Sequence, residues 1–228
     1  MSLKQKSKIQ TLFDFDEENK KDFDFVIGTD EAGRGPGAGP VFAAAVCFPK
    51  INEETKKALS ILNDSKQLSE KHREELFDVI KQNCIYAIQE GSVEEIEKKN
   101  ILNTSLNCMK ISCENVIKQL NNAKTITLVD GNKLIKNYTN KQITVVKGDG
   151  KSAAIAAASI LAKVARDRFM LELATEFPQY DWENNKGYLT AKHVDAIKTY
   201  GATKWHRAKF LRNILPQEEN KTAQLGLF

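Results

Sequence analysis

The middle of the 228-residue chain constrains the fold most. Two β-branched runs, TITLVD (Thr125 to Asp130) and ITVVK (Ile143 to Lys147), are followed by a long helical stretch, Ser152 to Glu176, that is alanine-rich in its first half. β-branched side chains fit a pleated, half-buried surface. Small side chains on a helix let its backbone approach such a surface closely. The pairing calls for a sheet with a helix laid against it. Three further β-rich runs are Phe25 to Thr29, Val41 to Phe48 (after a glycine-rich turn) and Ile85 to Glu90. Helical patterns cover Glu53 to Leu62, Ser69 to Asn83, Val93 to Lys99, Asn103 to Asn121, Ala191 to Tyr200 and Lys204 to Ile214, with Ser69 placed as an N-cap. The fold class is therefore α/β: a mixed five-stranded sheet flanked by helices.

The expected organisation is a flexible tail over residues 1–22, a main domain over 23–190, a C-terminal helical extension of that domain over 191–215, and a second flexible tail over 216–228. Residues 1–22 read as a tail because they are charged and show little periodicity. Hydrophobic content of 41% and charged content of 28% are those of an ordinary soluble domain. The net charge of +4 permits a polyanionic partner without predicting one. No apolar run approaches the ~18 residues needed to cross a bilayer, and no apolar core follows Lys4, Lys6 and Lys8 as in a signal peptide. Cys47, Cys84, Cys108 and Cys113 lack C-x-x-C spacing, which argues against zinc and disulfides. A cytoplasmic monomer with no membrane partner is expected.

Four carboxylates stand where strands end: Asp30 and Glu31 after the first, Asp130 at the end of TITLVD, and Asp149 just past ITVVK. Functional groups gather at strand ends in open sheets. A lone acid there is ordinarily a turn residue. Together, if the strands are neighbours, these acids converge on one edge, and converging carboxylates repel unless cations neutralise them. Hard oxygen ligands select Mg²⁺ or Mn²⁺, and two such ions roughly 4 Å apart can stabilise both the attacking and the leaving oxygen of a phosphoryl displacement. The run Asp30-Glu31-Ala32-Gly33-Arg34-Gly35-Pro36-Gly37 adds an arginine and three glycines in one tight connection, where backbone can approach a ligand closely.

Two apparent motifs fail. Gly33-x-Gly35-x-x-Ala38 resembles a dinucleotide fingerprint, but Pro36 and Pro40 lead into a strand rather than a helix. Gly150-Lys151-Ser152 ends like a Walker A loop, but the first glycine of that loop would fall at Val145, inside a strand.

DEAGRGP at Asp30 to Pro36, DSK at Asp64 to Lys66, NIL at Asn100 to Leu102, LVDGN at Leu128 to Asn132, KGDGKS at Lys147 to Ser152, AASILAKVARD at Ala157 to Asp167 and GYLT at Gly187 to Thr190 together resemble the bacterial ribonuclease HII family, over about Phe25 to Phe210. The resemblance implies an RNase H-like fold and cleavage of RNA in RNA–DNA hybrids. It extends to a single ribonucleotide in duplex DNA, cut on its 5′ side to leave 3′-hydroxyl and 5′-phosphate ends. Asp30, Glu31, Asp130 and Asp149 match the family's metal-binding acids. Asp167, between Arg166 and Arg168, reads as an ion-pairing residue instead. Gly33, Arg34, Gly35 and Tyr188 match its ribonucleotide sensor, and a 2′-hydroxyl, donor and acceptor at once, suits recognition by close backbone groups. Without the family match, Tyr188 would read as a half-buried core tyrosine. Ser65, Lys66, Asn100, His206 and Arg207 are candidate phosphate contacts, which position a duplex without reading its sequence; a solvated lysine or helix-capping histidines are the plainer readings. The chain departs from the family's usual H-R-x-S-F in having Lys209 where serine is usual.

The final residues Gln224, Leu225, Leu227 and Phe228 resemble the short peptide by which bacterial replication and repair proteins dock on the sliding clamp. Packing of that end back on its own domain is the alternative. Two rival readings remain open: a DNA-only nuclease of the same fold, and a non-catalytic DNA-binding protein associated with the clamp. Clustered negative charge facing phosphates would give a binding module nothing.

Overall fold

The computed structural model describes residues 7–62, 68–121 and 123–215. Five strands, β1 (Phe25–Ala32), β2 (Val41–Cys47), β3 (Ile85–Gly91), β4 (Thr125–Asp130) and β5 (Lys141–Val145), form one sheet in the order β3-β2-β1-β4-β5. β4 runs parallel to β1, from Phe25 opposite Thr125 to Thr29 opposite Val129. β5 runs parallel to β4, from Ile126 opposite Lys141 to Asp130 opposite Val145. The register follows from the pleat: a slip of one residue would turn each apolar set to the wrong face. Every residue of β2 is buried, which explains its unbroken apolar run.

The helices are α1 (Lys8–Lys20), α2 (Glu53–Ala58), α3 (Glu70–Asn83), α4 (Val93–Lys99), α5 (Ile101–Gln119), α6 (Ala153–Glu176), α7 (Trp182–Asn185) and α8 (Ala191–Tyr200). Ser69 caps α3 by accepting from the His72 amide. The alanine-rich start of α6 lies close on the sheet, as expected: a Cβ on Gly28 would come within 2.2 Å of the Ala154 backbone. Gly28 is thus the residue that lets strand and helix backbones meet.

Chain contacts divide the molecule into two compact units. The first holds residues 1–32, 43–89 and 106–164, with a core in which Leu12, Phe13, Val46, Leu76 and Ile80 join the α6 alanines. The second holds residues 33–42, 90–105 and 165–228, with a core around Met170, Tyr180, Trp182, Ile197 and Leu211.

Three expectations are corrected. Much of the stretch read as an N-terminal tail is α1, capped by Ser7. Its buried residues, Ile9, Leu12, Phe13 and Asp16, follow helical spacing, but one of the four is an aspartate, which hides the stripe. Lys204 to Ile214 is not a helix beyond a short 3-10 turn at Ala208–Phe210. Backbone pairing breaks it: the Arg207 amide donates to the Gly37 carbonyl (2.8 Å) and His206 bridges Ala38. α2 stops at Ala58 rather than Leu62. Among the described residues no helix is long and apolar enough to cross a membrane.

Candidate active site

The β1–β4 register pairs Thr29 with Val129, so Asp30 and Asp130 fall at the same level on adjacent parallel strands. Residues level on neighbouring strands share a face of the sheet. Asp30 is buried, and its Oδ1 accepts from the Glu31 amide at 2.7 Å. Burial first, then the charges of Glu31 and Asp130, push the Asp30 carboxyl well above the usual carboxylate range; a hydrogen bond with Ser159 of α6 pulls the other way. Asp30 therefore lies in the field of both other carboxylates. Asp130 Oδ1 accepts from the Gly148 amide at 2.7 Å, binding the end of β4 to the 3-10 turn Gly148–Gly150. That turn carries Asp149, which is buried. Lys147 opens it in the left-handed conformation, with φ at 56°.

The donor set is all carboxylate, the chemistry that suits a hard divalent cation. The repulsion at Asp30 is what such a cation would relieve. Among the described residues no three His, Cys, Asp or Glu side chains form a ready-made metal cage. Mg²⁺ does not require one, since one or two carboxylates with water and substrate phosphate commonly hold it.

In the second unit the Gly33–Pro40 loop is held from beneath by two buried arginines. Arg207 is fully buried, and each of its donor nitrogens is engaged by main-chain carbonyls. Nε donates to Gly39 (2.9 Å), Nη1 to Arg34 (3.3 Å) and Pro36 (2.8 Å), and Nη2 to Gly33 (2.7 Å) and Pro40 (3.2 Å). A guanidinium has five N–H donors, so none is left for a phosphate. The expected phosphate contact is instead an internal brace. Arg166 adds bonds from Nε to Pro40, Nη1 to Lys186 and Nη2 to Ala38. Burial lowers both guanidinium pKa values, Arg166 to about 10 and Arg207 to about 9, the nearby Arg166 charge adding to the latter; both stay cationic at neutral pH. Arg166 thus bonds carbonyls, while the charge of the buried Asp167 beside it favours its charged form.

Gly33 has φ at 98°, and a Cβ there would sit 2.2 Å from Arg166 Nε, so both conformation and space demand glycine. Arg34 and Gly35 are exposed. The Tyr188 ring stands beside Gly35, whose added Cβ would lie 3.3 Å from it, and remains 50% exposed. Tyr188 is therefore not the core tyrosine its sequence context suggests.

His193 and His206 form a buried pair, Nε2 to Nε2 at 3.2 Å. The Thr203 amide donates to His206 Nδ1, so His206 carries its proton on Nε2 and directs it at His193. His193 Nδ1 then donates to the Tyr188 carbonyl at 2.9 Å, and the Trp182 indole donates to its Nε2 at 3.0 Å. Burial chiefly, with His193 alongside, pushes His206 down to about 3, and burial lowers His193 as well. Both ring nitrogens of His206 are thus engaged within the protein, Nδ1 by Thr203 and Nε2 by His193.

Asn100 is exposed, but its Oδ1 accepts from the Asn103 amide at the start of α5. Lys209, where the family usually has serine, bonds to the Glu97 carbonyl and lies 3.9 Å from its carboxylate. Ser65, Lys66 and the final residues Gln224 to Phe228 lie outside the described residues. Sequence reasoning missed Ser159, Arg166 as a loop brace, and the His193–Trp182 contact. No local signal singled out Arg166, which stands in a helical run that also holds Lys163, Asp167 and Arg168.

A sheet ordered β3-β2-β1-β4-β5 with carboxylates level at its β1 and β4 ends defines an RNase H-like hydrolase. A family model, Ribonuclease HII, matches residues 27–213. The chain is 53% identical over 199 residues to a ribonuclease HII of Fusobacterium nucleatum, covering 86% of this chain and 90% of that one. It is 46% identical over 201 residues to one from Endomicrobium trichonymphae, covering 87% and 91%. Among solved structures, ribonuclease H2 from Pyrococcus horikoshii aligns with a TM-score of 0.66 at 25% identity, covering 86% of this chain and 99% of that one. The PCNA:RNase HII complex from Archaeoglobus fulgidus aligns with a TM-score of 0.64 at 26% identity, covering 80% and 93%. Bst-RNase HIII in complex with Mn²⁺, at 16% identity and a TM-score of 0.64 over 88% and 69%, shares the fold. The chain belongs to the ribonuclease HII family. It is a hydrolytic endonuclease with ribonuclease H activity on RNA–DNA hybrids.

Proposed function

We propose that the chain cuts duplexes 5′ of a ribonucleotide, single embedded ribonucleotides included, leaving 3′-hydroxyl and 5′-phosphate ends. The observation that carries this is the level placement of Asp30 and Asp130, with the Asp149 turn bonded to Asp130. Asp30, Glu31, Asp130 and Asp149 would hold two divalent cations, Mg²⁺ or Mn²⁺. When bound, such ions acidify water and offset charge on a departing oxygen. Mn²⁺ is bound by Bst-RNase HIII, which supports that class of ion. The residues themselves fix the donor set before substrate arrives. The Glu31 amide orients Asp30, Gly148 orients Asp130, and Ser159 favours the charged form of Asp30.

The Gly33-Arg34-Gly35 segment and Tyr188 read the ribose. Arg207 and Arg166 hold the loop carbonyls fixed, so recognition needs little rearrangement. The exposed Tyr188 ring offers a flat surface to a sugar, and Arg34, exposed on the same loop, would contact a phosphate.

The test is a duplex carrying one ribonucleotide, incubated with Mg²⁺ beside an all-DNA duplex and an EDTA control. Cleavage confined to the first supports the reading. Equal cleavage of all-DNA favours a DNA-only nuclease, and binding without cleavage favours a non-catalytic DNA-binding protein.

The sliding clamp is a proposed partner through Gln224, Leu225, Leu227 and Phe228. Support comes from the Archaeoglobus fulgidus RNase HII, which was solved with PCNA. Removing the last five residues would spare cleavage of a free oligonucleotide and abolish clamp binding. A cytoplasmic monomer is proposed.

A further inference from the structure

Thirty-four basic side chains face thirty acidic ones in the whole chain. The 21 residues 131–151 hold five lysines and one acid, Asp149, so the remaining residues are balanced at twenty-nine of each. Lys133, Lys136, Lys141, Lys147 and Lys151 are all exposed. Elsewhere, lysines often pair along their own helix, as Lys71 with Glu75, Lys98 with Glu94 and Lys99 with Glu95. Among the described residues, Lys133, Lys141, Lys147 and Lys151 have no carboxylate partner.

The geometry turns this composition into a surface. The β4–β5 connection leaves the Asp130 end of β4 and returns to the opposite end of the sheet to start β5, the edge strand. It is strapped down on the way. The Ile135 amide donates to Gln142 Oε1 (2.8 Å), Gln142 Nε2 donates to the Ile135 carbonyl (2.9 Å), and the Tyr138 hydroxyl bonds Thr127 Oγ1 (2.7 Å). The lysines therefore run along a fixed edge, from Lys133, Lys147 and Lys151 near the candidate acids to Lys141 at the far end of β5. Four residue steps of strand span about 13 Å, or about four base-pair steps at about 3.4 Å of helix axis each.

We infer that the edge formed by the β4–β5 connection and β5 is a phosphate-tracking surface that holds the nucleic-acid backbone leading away from the cut. The inference rests on the proposed cleavage site at Asp30, Asp130 and Asp149. Lysines on an edge strand also discourage edge-to-edge pairing, and that competing role makes a different prediction.

The test measures equilibrium binding of the full chain to an uncleaved all-DNA duplex in EDTA, across a salt series. The variant is Lys133→Gln with Lys136→Gln and Lys141→Gln, which leaves Lys147 and Lys151 beside Asp149 untouched. Each lost phosphate contact lowers the slope of log affinity against log salt by about 0.9. The expected result is a slope shallower by roughly two to three, with affinity at least about tenfold weaker at low salt. The matching triple Arg variant restores both. A control carrying Lys71→Gln, Lys98→Gln and Lys99→Gln keeps the wild-type slope, and circular dichroism verifies folding of each. An unchanged slope in the 133/136/141 variant overturns the inference, as does aggregation with unchanged affinity of the monomeric fraction, the mark of edge protection alone. A reduced slope in a protein whose Asp130→Asn form still cuts at the wild-type rate would leave the surface standing and remove the cleavage-site reading instead.

Discussion

In the sheet unit, Asp30 lies in the field of Glu31 and Asp130, answered by amide donors from Glu31 to Asp30 and from Gly148 to Asp130 and by a hydrogen bond between Asp30 and Ser159. In the other unit, Arg166 and Arg207 are also buried like charges, but carbonyls of the Gly33–Pro40 loop surround both. In the first arrangement burial and neighbouring negative charge raise the Asp30 carboxyl, and the second is satisfied by its own backbone. Buried charge without compensation is costly, and perturbed carboxylates of this kind mark functional sites. Buried charge with full hydrogen bonding braces a loop. The difference separates carboxylates that repel one another from arginines that hold a loop in place.

The largest effect that could break this contrast is on turnover. Asp130→Asn removes one charge and should lower the single-turnover rate by roughly two to three orders of magnitude, the scale for losing one charge-stabilising group. Unfolding midpoint and duplex affinity should change little. A wild-type rate would mean that Asp130 does not belong to the reacting centre.

Arg207→Met should act in the opposite way, through stability. It leaves several buried carbonyls without donors, each costing about 1–3 kcal/mol, so a loss of about 3 kcal/mol or more should appear in urea denaturation. A stability within error of wild type would reduce the carbonyl bonds to a coincidence of packing.

Gly33→Ala sharpens the comparison at one position. At φ 98° the new residue is strained, typically by about 1–3 kcal/mol, and its Cβ displaces Arg166. The ratio of ribonucleotide to all-DNA cleavage should fall more than stability does; a fall in stability alone would limit Gly33 to a packing role.

The last effect concerns pH and leaves stability at acid pH unchanged. Burial raises the Asp16 carboxyl from 3.8 to about 7, opposed by hydrogen bonds from Ser152 and the α6 amides, with Ala154 donating to Oδ2 at 2.9 Å. The folded chain therefore keeps a proton that the unfolded chain releases between those values. The contribution to stability is complete below about pH 4 and is lost as pH rises through 7. Asp16→Asn should flatten that decline in melting temperature, and an unaltered pH profile would show that Asp16 is ionised when folded.

Much of the fold could be read along the chain because its signals are local. TITLVD coincides with β4, Val93 to Lys99 with α4, and the Ser69 cap with the start of α3. α1 was missed because one of its four buried residues is an aspartate. Lys204 to Ile214 was misjudged because its backbone pairs with Gly37 and Ala38, some 170 positions earlier. The same distance misled the reading of Arg207, since an arginine that will meet a phosphate and one that will be ringed by carbonyls look alike in a sequence.

By itself the sequence determined the strands, the long helix, the chemical types at strand ends and the glycines where backbone must come close. These follow from side-chain volume, branching and periodicity, all carried by neighbouring residues. Tertiary structure alone decided that Asp30 and Asp130 stand level, that the turn bearing Asp149 is bonded to Asp130, and that Arg166 and Arg207 serve the loop. Each depends on strand register or on burial, which arise only when distant segments meet and water is excluded between them.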